Sequence, residues 1–397
     1  MTHCHREVES VFIFYVMRII VDNWNDKIQR LETRIGPALD NAEEVFLDLS
    51  GHKTVCVMAC DHTAMRLIGR ELGWVITTPV AEPDATIVLW KENDVRDFIS
   101  EVMMTEEEIP DTEEFLLFSK SHFFERTKRT VSGADPYAAC IPTGQVNFKD
   151  GTVFLANGNN YYYGTSSYEP DRWLREGHVF VQMLFRILNS LPNASLVHGA
   201  CLGLKGHGLL MCARGNRGKS TLAITALLKG FEYVSEDYLI LQSENGCLTA
   251  SPIYSIVTLS PQMYDALYQD FGKARFVGVS SWKGKYVFDI TGYSDALRRH
   301  YPVRACLFPD IDLSATEPSI RKCDQIEKNR AITHLAHSTL SQMWCIGLKQ
   351  SQTDSETMLK LMRMINPLDF YKMTLTPDIF ANAECLRAFT ESMNNNI

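Results

Sequence analysis

The sequence lacks two features that would each have indicated a class of protein. It has no hydrophobic run long enough to cross a bilayer, because Glu9 and Arg18 interrupt the apolar stretch Val8 to Val21 and no small-residue cleavage site follows it. It also has no excess of positive charge: the formal net charge is −9. Such a chain has no bulk attraction to nucleic-acid phosphates. We therefore expect a cytoplasmic protein whose partners are neither membranes nor nucleic acids.

The 11 cysteines form neither a disulfide framework nor a zinc pattern. Their number is odd and they are scattered along the chain. Cys56 and Cys60 are the closest pair, but no second Cys or His pair at ligand spacing follows them, and Val55 to Met58 is typical of a buried strand. We expect reduced thiols and no structural metal.

What the sequence does contain indicates a folded α/β protein. With 397 residues, 45% hydrophobic and 22% charged, the chain fits about two globular domains. The turn-rich segment Ser132 to Pro136 predicts a boundary between a smaller N-terminal α/β domain of unknown role, residues 1–135, and a second domain, residues 136–397. In the first domain, apolar patterning predicts a helix over 62–72 and strands over 45–49, 54–58, 74–76 and 86–90.

The second domain begins with a predicted hairpin over 146–155 and a helix over 173–191. Two strands are then expected, over 196–204 and 209–213, joined by a turn. The second of them leads directly into a glycine-rich loop.

This loop, Ala213 to Ser220, has the composition of a phosphate-binding loop, with Ala213 in place of its first glycine. Backbone N–H groups at a helix N-terminus attract phosphate, and glycines let the loop curl closely around it. A positive φ at Ala213 would be costly. The helix should follow over 221–229 and end at Gly230. The residues expected to bind the nucleotide are Arg214, Gly215, Asn216, Arg217, Gly218, Lys219, Ser220 and Thr221.

Two adjacent carboxylates, Glu236 and Asp237, stand inside the strand-like run Tyr233 to Leu241. Neighbouring residues of a strand point to opposite faces, so we expect different roles for them. One would hold Mg²⁺ together with Ser220, since a buried charge needs a compensating partner. The other would accept a proton from a hydroxyl, with His198 orienting it. Which carboxylate does which is open, and a lone histidine on a strand is more often a core residue.

Three motifs together resemble the C-terminal catalytic domain of HPr kinase/phosphorylase and its related kinases. They are Val197 to Ala200, Ala213 to Thr221, and Lys229-Gly230 followed by Val234 to Asp237, in matching order and spacing. The resemblance covers roughly Val146 to Thr390, including the tail Asp369 to Asp378. It implies a mixed-sheet P-loop kinase domain whose fold is akin to that of phosphoenolpyruvate carboxykinase. The resemblance also implies the activity of HPr-kinase-type domains, which phosphorylate serine-type hydroxyls with ATP and Mg²⁺.

The resemblance also implies site residues, and it has departures. It places a histidine and an Asp-Asp pair around the catalytic centre, which correspond to His198, Glu236 and Asp237, with Glu in place of the first Asp. The stretch Ile253 to Ala266 lacks the Glu and Arg of the family's HPr-recognition signature. A divergent relative with another acceptor is therefore indicated: a peptide, a protein or a small hydroxylated metabolite.

The sequence thus predicts an ATP- and Mg²⁺-dependent phosphotransferase. Its oligomeric state is open, although the resemblance allows a homo-oligomer, since relatives of this kind commonly assemble. Two alternatives stay open, a nucleotide-binding sensor without transfer activity and a simple NTPase. Basic residues near later strands could stabilise transferring charge, or could equally be ordinary surface residues: Lys283, Lys285 and Arg304. The expected catalytic residues are His198, Lys219, Glu236 and Asp237, and the expected metal ligands are Ser220, Glu236 and Asp237.

Overall fold

A computed structural model of the chain describes most of its length. The described residues are 16–21, 23–51, 53–103, 115–120, 144–148, 151–168, 173–174, 179–213, 217–267, 269–280, 284–342 and 351–394. Within these ranges no helix combines the length and the apolar character that crossing a membrane requires.

Nine α-helices and twenty-one strands are present in this part of the chain. The helices are α1 (Trp24–Leu39), α2 (His62–Glu71), α3 (Val95–Phe98), α4 (Val179–Asn189), α5 (Lys219–Leu228), α6 (Pro261–Leu267), α7 (Gln325–Gln342), α8 (Ser351–Ile365) and α9 (Ile379–Asn394). The strands are β1 (Val16–Val21), β2 (Glu43–Leu49), β3 (Lys53–Ala59), β4 (Ile76–Thr77), β5 (Ala85–Lys91), β6 (Phe115–Lys120), β7 (Gly144–Asn147), β8 (Thr152–Asn157), β9 (Asn160–Thr165), β10 (Ala194–His198), β11 (Ala200–Leu204), β12 (His207–Met211), β13 (Glu232–Ser235), β14 (Tyr238–Glu244), β15 (Cys247–Pro252), β16 (Ile256–Leu259), β17 (Arg275–Val279), β18 (Tyr286–Asp289), β19 (Tyr301–Ile311), β20 (Ser319–Lys322) and β21 (Asp369–Leu375).

The first sheet has nine strands in the order β1-β6-β7-β8-β9-β5-β3-β2-β4 and mixes parallel with antiparallel pairs. Side chains of a strand alternate between the two faces of a sheet, and apolar residues of this sheet lie on both faces. Helices therefore pack against each face. Helices α1 and α3 cover one face through Leu31 and Phe98. Helices α2 and α4 cover the other through Ile68 and Leu184.

The hairpin predicted over 146–155 is confirmed as β7 and β8, but it belongs to this first sheet. The sheet runs past residue 135 to Thr165, and the second sheet begins at Ala194. The predicted boundary at Ser132 to Pro136 lies outside the described residues, and the division into domains there stays a prediction.

The second sheet also has nine strands: a path β10-β14-β15-β19-β12-β11-β13, with β21 joined to β19 and β20 joined to β21. Parallel pairing of β12, β19 and β21 brings the carboxyl ends of these three strands to one edge of the sheet. Leu209 and Met211 of β12 face α5 and α9, whereas Leu210 faces α7 and α8. A third, three-stranded sheet has the order β16-β18-β17. The α/β class with mixed sheets is therefore as predicted.

One predicted element of the second part differs from the structure. The strand expected over 196–204 is two strands, β10 and β11, because the chain changes partner at Gly199: β10 pairs with β14, and β11 pairs with β12. The helix expected over 173–191 is present over Val179–Asn189, and residues 175–178 lie outside the described residues. Apolar periodicity located the strand segment but could not show where the backbone changes its pairing partner.

Candidate functional site

The glycine-rich loop connects β12 to α5, as its sequence predicts. Gly218 precedes the helix with φ +84°, a left-handed conformation that favours glycine. A Cβ on this glycine would lie 2.6 Å from Cδ1 of Leu375, so a side chain here would also require that leucine to move. Helix α5 ends at Leu228, and Gly230 follows with φ +82°. Arg214, Gly215 and Asn216 of the loop lie outside the described residues.

Ala213 does not carry the backbone strain that a positive φ would have caused. The non-glycine residues with positive φ in the described part of the chain are Asn23, Ser50, Lys205 and Asn245. The carbonyl of Ala213 instead accepts a hydrogen bond of 2.8 Å from Nζ of Lys219. Alanine is therefore compatible with the loop at this position.

Lys219 is buried at the start of α5, with 7% of its surface exposed. Burial lowers the pKa of its ammonium group, while attraction from Asp237 and Glu236 opposes that shift. Carboxylates next to a buried ammonium compensate part of its lost hydration. Lys219 therefore faces the acidic pair expected to form the other half of the site.

Glu236 lies next to Ser220, the residue that follows Lys219 in the helix. The hydroxyl of Ser220 donates to its carboxylate, and the N–H of Thr258 donates to Oε1 over 3.0 Å. Burial, followed by the like charge of Asp237, raises the pKa of Glu236. Its Oε2 atom is buried and has no hydrogen-bond partner among the residues that the structure describes. A buried oxygen of this kind is costly unless a ligand satisfies it.

The expectation that Glu236 and Asp237 lie inside a strand is wrong. Both occupy the bend between β13, which ends at Ser235, and β14, which begins at Tyr238. Because a bend lacks the two-residue alternation of a strand, both side chains reach the same site. The expectation of distinct roles is nevertheless compatible with their different neighbours.

Asp237 pairs with His198, as the sequence suggested. Nε2 of His198 lies 3.0 Å from Oδ1 of Asp237, and a third of the Asp237 side chain is exposed. Burial acts to raise the pKa of Asp237, but the hydrogen bond from His198, with the charges of Lys285 and Lys219, lowers it below its usual value. Asp237 is therefore an ionised carboxylate with partial access to solvent.

Two residues that the sequence did not indicate, Thr339 and Ser338, form hydrogen bonds with His198. Its backbone N–H donates to Oγ1 of Thr339 over 3.0 Å, and its Nδ1 lies 2.6 Å from Oγ of Ser338. Both belong to α7, far along the chain. No motif marks them, because a helix that packs across a strand end leaves no local pattern at the contacting residues.

Of the three basic residues considered, the structure brings Lys285 to the acidic pair. The positive charge of Lys285 acts to lower the pKa of both carboxylates, and for Glu236 this opposes the larger effect of burial. Arg304 lies on β19 with its side chain exposed, and Lys283 lies outside the described residues. Arg217 of the loop forms an ion pair with Asp310 over 3.0 Å, and Thr221 lies in the first turn of α5.

The oxygen atoms of Ser220 and Glu236 fit Mg²⁺ bound together with a nucleotide. Among the described residues, no group of three or more His, Cys, Asp or Glu side chains is arranged to hold a metal ion. Mg²⁺ bound with a nucleotide needs only one or two protein oxygens, since phosphate oxygens and waters complete its octahedron. The adjacent oxygens of Ser220 and Glu236, one of them unsatisfied, meet that requirement.

No family model matches the sequence, and no curated protein matches it. Among solved structures, the chain is similar to the Hpr(Ser) kinase/phosphatase from Coxiella burnetii, with 13% identity over 50% of this chain and 99% of that chain. The TM-score is 0.29, which is too low to support an argument about fold or activity.

Proposed function

We propose that this chain transfers the terminal phosphoryl group of a nucleoside triphosphate, with Mg²⁺, to a hydroxyl group. One observation carries the proposal: the start of α5, with Lys219 and Ser220, faces the Glu236-Asp237 bend, and His198 pairs with Asp237. A phosphate-binding helix start opposite a carboxylate pair is the arrangement that phosphoryl transfer needs. On this proposal, the second part of the chain is a P-loop kinase domain of the HPr kinase and phosphoenolpyruvate carboxykinase type.

The nucleotide's phosphates would lie at the N-terminus of α5. Backbone N–H groups of the loop and the positive end of the helix attract them. Lys219 now donates to the carbonyl of Ala213, and a short movement of its flexible side chain would redirect the ammonium to the β- and γ-phosphates. Burial strengthens that attraction because the site has a lower dielectric constant than water.

Ser220 and Glu236 would hold the metal. The hydroxyl and the carboxylate already contact each other, and Oε2 of Glu236 is unsatisfied. Bound Mg²⁺ supplies positive charge that neutralises the phosphate oxygens. The N–H of Thr258 holds the other carboxylate oxygen of Glu236, Oε1, over 3.0 Å.

Asp237 would act as the base. Its carboxylate is ionised and partly accessible, and Nε2–H of His198 fixes one of its oxygens. The acceptor's O–H proton would pass to Asp237 as its oxygen forms a bond to the γ-phosphorus. The bond from that phosphorus to the bridging oxygen breaks, and the nucleoside diphosphate leaves with the electron pair. Lys285 adds positive charge on this side of the site.

The test is incubation with MgATP labelled on the γ-phosphate, together with a degenerate Ser/Thr peptide library and a panel of polyols. The expected result is acid-stable label on a hydroxyl acceptor, lost in the Asp237→Asn variant. Lys219→Ala should lose nucleotide binding measured by calorimetry with a non-hydrolysable ATP analogue. The matched control is Lys229→Ala, at the other end of α5, where the lysine pairs with Glu384 at the surface.

Three outcomes would contradict the proposal in different ways. Free phosphate without labelled acceptor would indicate an NTPase. Tight analogue binding without transfer or hydrolysis would indicate a sensor. Unchanged nucleotide affinity in Lys219→Ala would show that the start of α5 is not the phosphate-binding site.

A further inference from the structure

Helix α7 reaches His198 from the face of the sheet opposite to α5. Leu335 and Ala336 of α7 are buried in the core on that face, and Thr339 is fully buried. A Cβ on Gly199 would lie 3.1 Å from the carbonyl oxygen of Met211 and 3.5 Å from Cδ1 of Leu335. Gly199 therefore lies tightly against the backbone of Met211 and in contact with Leu335 of α7.

Two consecutive residues of α7 contact the same histidine. Thr339 accepts the backbone N–H of His198, which fixes where the Cα of the histidine lies. Ser338 contacts Nδ1 at 2.6 Å, which fixes the ring. The ring of Tyr238 lies 5.2 Å away, centroid to centroid, and limits the movement of the imidazole on one side.

We infer that Ser338 and Thr339 are positioning residues of the candidate site, and that α7 aims the imidazole of His198 so that Nε2 faces Asp237. Without the contact at Nδ1, rotation about the Cβ–Cγ bond could present a ring C–H to the carboxylate. Ser338 acts through His198 and touches no substrate.

The protons at this contact are accounted for. Nε2 of His198 lies 3.0 Å from a carboxylate oxygen of Asp237, which accepts hydrogen bonds, so Nε2 carries the hydrogen. With a neutral imidazole, Nδ1 accepts the O–H of Ser338; with a charged imidazole, Nδ1–H donates to Oγ of Ser338. The chain Ser338 to His198 to Asp237 thus has one donor and one acceptor at each contact.

The kinetic part of this inference rests on the proposed function, and the spectroscopic part does not. A misplacement of about 1 Å near a reacting group can cost about 100-fold in rate. For Ser338→Ala we expect a fall in kcat of roughly 10-fold to 100-fold, with the KM for nucleotide changed less than about 2-fold. Ser338→Thr, which keeps the hydroxyl, should recover most of the rate.

Thr333→Ala is the matched control. Thr333 lies on the same helix, and its exposed hydroxyl bonds only to the carbonyl of Asn329 among the residues described. Its removal should leave kcat unchanged. Alanine is the better helix former, so neither alanine variant should unfold the helix, which the thermal unfolding midpoint will verify.

Nitrogen NMR of the imidazole decides the inference independently of activity, with the His198 signal assigned by comparison with His198→Gln. The Nδ1 signal should shift in Ser338→Ala and stay in place in Thr333→Ala. An unshifted Nδ1 signal in Ser338→Ala would overturn the inference, as would an unchanged kcat in an active enzyme. If the wild-type protein transfers no phosphate, the proposed function fails while the NMR result still decides the contact.

Discussion

Nε2 of His198, the last residue of β10, lies 3.0 Å from Oδ1 of Asp237, which immediately precedes β14. The pairing of β10 with β14 places His198 opposite Tyr238, the residue after Asp237. The N–H of Gly199 also donates to the carbonyl of Asp237 over 2.8 Å. The register of two strands therefore fixes the distance between the imidazole and the carboxylate.

Removing either member of this pair should slow transfer without weakening nucleotide binding. A positioned base contributes about 10²-fold to 10⁴-fold, so we expect Asp237→Asn to lower kcat by that range and His198→Ala to lower it less. Steady-state kinetics and calorimetry with an ATP analogue measure the two effects. His62→Ala, at an exposed histidine paired with Glu43, is the control. An unchanged kcat in Asp237→Asn would show that a residue other than Asp237 acts as the base.

Glu236→Gln should remove the metal dependence of binding. The amide keeps the size of the side chain but replaces the charge that would bind Mg²⁺. In the wild-type protein, adding Mg²⁺ should tighten binding of the ATP analogue, and adding EDTA should reverse this. In the variant, affinities with and without Mg²⁺ should agree within about 3-fold, which is a difference of less than about 1 kcal/mol. A full Mg²⁺ effect in Glu236→Gln would show that another residue holds the metal.

Lys360 should make stability depend on pH in the alkaline range. Burial lowers its pKa from 10.5 to about 8, while Nζ donates to Oδ1 of Asn189 and to the carbonyl of Leu191. The folded state therefore releases a proton that the unfolded state keeps, so the free energy of unfolding rises with pH between about 8 and 10.5.

Urea unfolding across this range measures the effect. The difference in unfolding free energy between the wild-type protein and Lys360→Gln should grow with pH, because the variant lacks the titrating group. Other groups that titrate in the same pH range contribute equally to both proteins, so they cancel in the difference and only the effect of Lys360 remains. A difference that stays constant would contradict the lowered pKa.

Two glycine substitutions should change stability in opposite directions. A Cβ on Gly208 would lie 2.2 Å from the backbone oxygen of Pro302, where β12 meets β19. Since backbone cannot move aside cheaply, Gly208→Ala should destabilise the fold by about 1–3 kcal/mol. Gly69 of α2 has no atom within 4 Å of its Cβ position, so Gly69→Ala should stabilise by about 0.5–1 kcal/mol. Equal unfolding midpoints for the two variants would contradict this packing.

Sequence patterns located the elements more reliably than their partners. Strand β3 and helix α2 lie where apolar periodicity predicted them, because local period reflects which face is buried. The hairpin of β7 and β8 was also predicted, but not its place in the first sheet. Sheet membership depends on pairing between distant segments, which local periodicity does not encode.

Some residues of the candidate site could be identified from the sequence, and others could not. Lys219 and Ser220 could be identified from the loop motif, because binding phosphate requires a particular local order of glycine, cation and hydroxyl. Ser338 and Thr258 could not, since each contributes a polar group across a contact between distant elements. The nucleotide contact expected of Arg217 stays a prediction, and its side chain pairs with Asp310.

The sequence by itself determined a strand, a glycine-rich loop and a helix in succession, since short-range sterics and backbone hydrogen bonds decide such a unit. Only the tertiary structure decided that Glu236 and Asp237 lie on a bend, that Asp237 faces His198, and that α7 holds the imidazole. These relationships depend on strand register and helix packing, which form when segments distant in the chain bury their apolar faces together.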